Sequence, residues 1–229
     1  MAHSLKTPDV SAELRAQQDA DWAALNASVL DCPDGTLKTL AMLFLYDYQE
    51  PFRRAAAARS YHHARRGGLV EHVSKMAQSA VALCAVYPEL RRDLLIAGVI
   101  FHDAGKMLEN QFEPEGFEMP FNFRAECYGH ILLGVQLAHK TWATLDPETQ
   151  ARDINLLDAL CHLTASHHGT LEWGSPVEPK LPEAVALHFI DNLDAKLEMM
   201  RATYITPKPL APGVIEGARP LSRTILVLS

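Results

Sequence analysis

Apolar residues along this chain recur mostly at helical spacing. Leu69, Val73, Met76, Ala80 and Leu83 alternate steps of four and three, which predicts an amphipathic helix opening at Gly67-Gly68. Upstream, Ser11–Leu30 reads as a polar, Ala-rich helix, Asp31–Gly35 as a turn, Thr36–Tyr48 as a helix with an apolar face (Leu37, Leu40, Met42, Leu43, Phe44), and Pro51–Arg59 as a short helix. Pro88 stands near the start of the next helix, which carries the apolar run Leu94–Phe101 and stops at Gly105. Asn110–Pro120 reads as an irregular loop or small hairpin. Gly129–Leu145 and Pro147–Ser166 read as two further helices, the first with Ile131, Leu132, Val135, Leu137 and Ala138 on its apolar side. Five Gly and Pro residues make Gly169–Pro182 a loop, after which Pro182–Arg201 is a last long helix. The tail from Pro207 is Pro-rich and ends in an expected strand at Thr224–Leu228.

Helices joined by short loops, with no strand–helix alternation, predict an all-α bundle in one domain. Its expected parts are a helical N-terminal extension over residues 1–50, a core over 51–201 and a Pro-rich tail over 202–229.

Composition narrows the picture. A 48% hydrophobic and 21% charged chain is that of a folded domain with a core. The longest apolar run falls far short of a bilayer span, and residues 1–10 lack a signal-peptide core, so a cytoplasmic protein without membrane partners is expected. Four scattered cysteines without a Cys-x-x-Cys pair argue against a disulfide framework or a thiolate zinc site. A net charge of −7 argues against a surface built to coat duplex nucleic acid.

The unusual count is histidine, 11 of 229. His72 falls early in the Gly68 helix, His102-Asp103 ends the most apolar helix, His130 opens another, and His167-His168 ends the next. Asp191 and Asp194 share a face of the last helix at i, i+3. Any one of these is ordinarily a core or surface residue. Together they bring imidazoles and carboxylates to apolar helix ends, where such groups are costly unless paired or bound to metal. Imidazole and carboxylate without thiolate suit Mn, Fe, Co, Ni or Zn. One carboxylate can bridge two ions, so the His-Asp doublet offers a ligand and a bridge.

The series resembles the HD superfamily of metal-dependent phosphohydrolases over roughly His62–Met200. It is similar in particular to the HD domain of YhaM-like 3′→5′ exoribonucleases, through Tyr61–His72, Ala97–Lys106, Gly129–Gly134, Ser166–Gly169 with Gly174–Val177 and Pro179, and Ile190–Lys196. The resemblance implies an HD-type helical bundle and two divalent transition-metal ions (Mn, Fe, Co or Ni). It places one ion on His72, His102, Asp103 and Asp191, and the other on Asp103, His130 and His167. Helical neighbours point about 100° apart, so His168 is expected at the substrate or behind the ligands rather than on the same ion as His167. The family's N-terminal OB-fold has no counterpart expected here, since only about 60 residues, reading as helical, precede the motifs.

The expected chemistry is phosphodiester hydrolysis of short RNA or a nucleotide. Ions bridged by Asp103 would give a hydroxide nucleophile, with Lys106 helping to offset phosphoryl charge. Between Arg53 and Arg66 lie Arg53, Arg54, Arg59, Arg65, Arg66, His62 and His63 and no acid, so substrate contacts are expected from His62, His63, Arg66, Lys106, His168 and Asp194. Two other readings use the same residues: a mixed-valent di-iron oxygenase, and a non-catalytic nucleotide-binding module. Lys106 and the basic stretch favour the hydrolase.

Overall fold

The computed structural model describes residues 5–6, 11–59 and 63–228. Its helices are α1 (Ala12–Leu30), α2 (Thr36–Asp47), α3 (Gln49–Arg54), α4 (Gly68–Val86), α5 (Arg92–Phe101), α6 (Lys106–Glu109), α7 (Phe123–Trp142), α8 (Pro147–Arg152), α9 (Ile154–Ser166) and α10 (Pro182–Ile205). The short strands are β1 (Leu5–Lys6), β2 (Glu118–Met119), β3 (Pro209–Ala211), β4 (Val214–Glu216) and β5 (Thr224–Leu226). The all-α expectation holds. Among the described residues, no helix is long and apolar enough to cross a membrane.

α5 is the hub because every residue from Leu94 to Phe101 is buried. α4 and α10 flank it on one side, α2 and α9 on others, while α1 covers α4 and α7 covers α9. Phe44 of α2 packs against Phe101 with tilted rings whose centroids lie 4.4 Å apart. Leu25, Leu37, Leu40, Leu69, Val73, Met76, Leu160, Leu163 and Leu187 close the same core. The helices expected as an N-terminal extension therefore share one apolar interior with the helices that follow. Burying a Leu or Phe in such a core stabilises by about 1.5–3 kcal/mol per side chain.

Several boundaries differ from the sequence expectation for identifiable reasons. α7 begins six residues before Gly129, where the Asn122 side chain accepts from the Ala125 N–H at 3.1 Å. Gly129 kinks it, with φ 66° and ψ 163°, a conformation open essentially to glycine. The single helix expected over Pro147–Ser166 is two, because Asp153 leaves helical geometry (φ −109°, ψ 18°) and accepts from the Thr36 hydroxyl at 2.5 Å. α3 stops at Arg54, α5 starts at Arg92 rather than near Pro88, and α10 continues to Ile205. Met42 and Leu132, placed on apolar faces by periodicity, are 45% and 49% exposed. The Asn110–Pro120 segment contributes β2, paired antiparallel with β1 rather than with itself. The tail holds the strand expected at its end, completed by β3 and β4 into an antiparallel sheet of order β3-β4-β5.

Candidate metal centre

The six ligand candidates come from five elements and meet around Asp103. His102 caps the C-terminus of α5, and Asp103 follows in the turn into α6. The two carboxylate oxygens face different neighbours. Oδ2 lies 3.3 Å from His102 Nε2 and 3.7 Å from His72 Nε2. Oδ1 lies 3.7 Å from His130 Nε2 and 3.8 Å from His167 Nε2. Asp191 Oδ1 completes the first side, 3.2 Å from His72 Nε2.

The donor atoms of His72, His102 and Asp191 all lie within 4.8 Å of one another, and so do those of His130, His167 and His168. His168 thus joins the second cluster, against the expectation from helical spacing. α9 ends at Ser166, and the His168 backbone leaves the helix, so the 100° rule does not apply to it. The rings of His167 and His168 sit 4.4 Å apart, edge to face.

Each imidazole is aimed by its Nδ1. His102 and His167, just past helix C-termini, donate to the carbonyls three residues back, Val99 at 2.8 Å and Thr164 at 2.7 Å. Those carbonyls are acceptors that a helix end leaves without partners. His168 Nδ1 bonds the Trp173 carbonyl at 2.9 Å. A carbonyl only accepts, so Nδ1 carries the proton in these three rings and Nε2 presents a lone pair to the centre. His72 Nδ1 and His130 Nδ1 meet carboxylates, Asp194 Oδ2 at 2.7 Å and Glu109 Oε2 at 3.0 Å.

Burial and charge agree with this layout. Burial opposes ionisation of Asp103, but Lys106 and then His102 outweigh it and hold the carboxyl well below its ordinary value. Burial keeps the His167 ring well below its usual range, hence neutral, and nearby His102 adds to the effect. Burial alone would lower His72, but hydrogen bonds with Asp191 and Asp194 raise it to about 9. An ion arriving at His72 must displace that proton.

His102 Nε2, His130 Nε2 and Asp103 Oδ1 are buried with no hydrogen-bond partner among the described residues. Such atoms cost about 1–3 kcal/mol each when left so. Converging lone pairs of hard and borderline donors, each second nitrogen already anchored, fit divalent cations.

Some expected substrate residues are placed elsewhere. Lys106 Nζ lies 2.6 Å from Asp103 Oδ2, so it meets the carboxylate between the clusters. His63 is 1% exposed and its nitrogens lie 3.2 Å from Glu71 Oε2 and 3.1 Å from Asp194 Oδ2. It and Asp194 therefore stand behind His72 as its support, correcting the expectation that both touch substrate. Arg66 donates to the carbonyls of Glu113, Pro114 and Gly116 and straps that loop instead of facing the clusters. The rest of the basic stretch is committed too: Arg53 to Asp19, Arg54 to Glu50, Arg59 to the carbonyls of Glu109, Met119 and Pro120, and Arg65 to Glu71 and Glu198. Asp19, Glu198 and carbonyls between residues 109 and 120, all remote in sequence, join the nearer Glu50 and Glu71 in occupying it. His62 lies outside the described residues.

Support residues that the sequence did not mark are Glu109, which aims His130, and Gln18 and Glu198, which join Glu71, beside His72 in sequence, and Arg65 of the basic stretch behind His63. Glu109 follows Lys106 by one helical turn, a weak signal; Glu198 has none. Beside the clusters a cleft of about 620 Å³ is bounded by His167, His168 and Asp191.

A family described as the HD domain matches residues 69–196, more than half of the chain. The match spans both clusters and ends within α10, before the tail. No solved structure matches the chain.

Proposed function

Because this chain belongs to the HD-domain family, we propose that it is a two-metal phosphodiesterase acting on short RNA or nucleotides, of the kind seen in YhaM-like 3′→5′ exoribonucleases. The observation that carries this reading is the division of Asp103, with two imidazoles on each carboxylate oxygen. His72, His102 and Asp191 would hold one divalent ion with Asp103 Oδ2, and His130, His167 and His168 the other with Oδ1. When bound, such ions supply Lewis acidity, acidifying a water and offsetting phosphoryl charge.

The protein's own groups prepare that chemistry. Five Nδ1 anchors fix ring orientation before any ligand arrives, so little reorganisation is needed. Lys106 keeps Asp103 ionised and adds positive charge beside the position where a phosphoryl group would sit. His168 and Asp191 form the border between the clusters and the open cleft, so a phosphodiester entering there meets both.

Metal analysis of the purified protein, with a Mn²⁺-supplemented assay on a 3′-labelled oligoribonucleotide and a panel of cyclic nucleotides, tests the reading. Cleavage of one class is expected. Absence of cleavage in both with metal bound, or O₂ consumption without ester cleavage, refutes it. Asp103→Ala should abolish metal retention and cleavage together while the helical circular dichroism stays near wild type.

A further inference from the structure

The cleft beside the clusters is lined by more than the metal candidates. Besides His167, His168 and Asp191 it is bordered by Trp173, Lys196 and Arg219. Its volume of about 620 Å³ lies within the range of small-molecule sites.

Arg219 reaches it from the tail. Arg219 and Pro220 are the central residues of the turn joining β4 to β5, closed by the Leu221 N–H donating to the Ala218 carbonyl at 2.9 Å. Below the turn, the Gly217 N–H donates to the Arg223 carbonyl at 2.9 Å. The sheet is tied down by buried Ile215 and Ile225, and by the Tyr204 hydroxyl of α10, which donates to the Leu226 carbonyl at 3.2 Å. The turn is therefore a held platform.

Neither the Arg219 nor the Lys196 side chain has an ion pair or hydrogen bond among the described residues. That sets them apart from the five arginines of the 53–66 stretch, all of which are committed internally. Trp173 is 54% exposed although it is the largest side chain of the cleft, and its ring lies 5.8 Å from that of His188.

We propose that this cleft is a subsite for a nucleoside monophosphate unit, with a terminal phosphomonoester held by Arg219 and Lys196 and the base stacked on Trp173. The proposal rests on the phosphodiesterase reading for the neighbouring reaction, and it narrows that reading to substrates ending in a phosphorylated nucleotide. A phosphomonoester carries nearly two negative charges and three acceptor oxygens, against one charge for a diester. Two uncommitted cations, one a planar fork and one a point charge, match the monoester. An indole face accepts any base, so the subsite reads the terminal phosphate and not the sequence.

The full-length protein is titrated with AMP and with adenosine, with Mn²⁺ and again with EDTA, following tryptophan fluorescence. AMP is expected to bind at least about tenfold more tightly than adenosine, with or without Mn²⁺. Arg219→Gln should collapse that ratio, Arg219→Lys should retain most of it, and Trp173→Leu should weaken both ligands and remove the quenching. Equal affinities, a ratio unchanged in Arg219→Gln, or a preference lost in EDTA overturns the subsite. Cleavage rates on pApA and ApA separate this proposal from the reading beneath it. AMP binding with the stated variant effects but no cleavage keeps the subsite and removes the phosphodiesterase. Cleavage without preference for pApA does the reverse.

Discussion

Replacing Gly105 by alanine should damage the second cluster without touching a ligand. Gly105 sits in the turn after Asp103, where a Cβ would lie 2.0 Å from the carbonyl oxygen of His130 and 2.7 Å from its C and Cα. Ordinary contact begins at 3.4 Å, so the methyl group falls more than an ångström short of room. The obstructing atoms are all backbone, so no rotamer change relieves the clash, and either the 103–106 turn or the start of the His130 segment must move. Overpacking of this kind costs about 1–3 kcal/mol, roughly 2–12 °C in Tm for a chain of this size. The displacement also exceeds the ~0.5 Å within which a functional constellation must be held. A misplacement near 1 Å costs about 10²-fold in rate, and Mn²⁺ affinity should fall with it. Calorimetric Mn²⁺ titration, thermal unfolding and the oligoribonucleotide assay together measure these effects. A Gly105→Ala protein with wild-type Mn²⁺ stoichiometry, affinity and turnover would falsify the claim that this contact seats His130 against Asp103.

Two other perturbations probe the supports behind the ligands. Glu109→Gln removes the carboxylate that meets His130 Nδ1 at 3.0 Å; Mn²⁺ affinity at the second cluster should fall about 10–100-fold with little change in Tm, and unchanged affinity by titration would refute the aiming role. Glu71 is buried, yet hydrogen bonds from His63, Arg65 and Gln18 outweigh that burial and bring its carboxyl from 4.5 down to about 2. Because its folded value is depressed, Glu71 contributes stability above pH 4.5 that is lost as pH falls through 2, on the order of 3 kcal/mol in all. Urea midpoints of wild type and Glu71→Gln should therefore differ at pH 7 and converge toward pH 2, and a gap independent of pH would refute the assignment.

Fold class, the central helix and most of the clustered histidines and acids were legible in the pattern of residues. Periodicity reports which faces seek burial, and Leu94–Phe101 is buried at every residue as its composition requires. Histidines beside such runs have few alternatives to pairing or ligation. The resemblance implied the division into two sets; the tertiary structure added which oxygen of Asp103 each set meets, because that depends on which of five elements arrives at each. It also brought His168 to the second cluster, since helical spacing says nothing once the backbone has left the helix. It gave every arginine of the basic stretch an internal partner, several of them, such as Asp19, Glu198 and the 113–120 carbonyls, brought from far along the chain. It likewise carried Arg219 to the cleft through a turn built on three-residue strands, too short to leave a period in the sequence. Local pattern is set by solvent, over a few residues. Convergence is set by packing between elements far apart in the chain, and there chemistry takes its geometry.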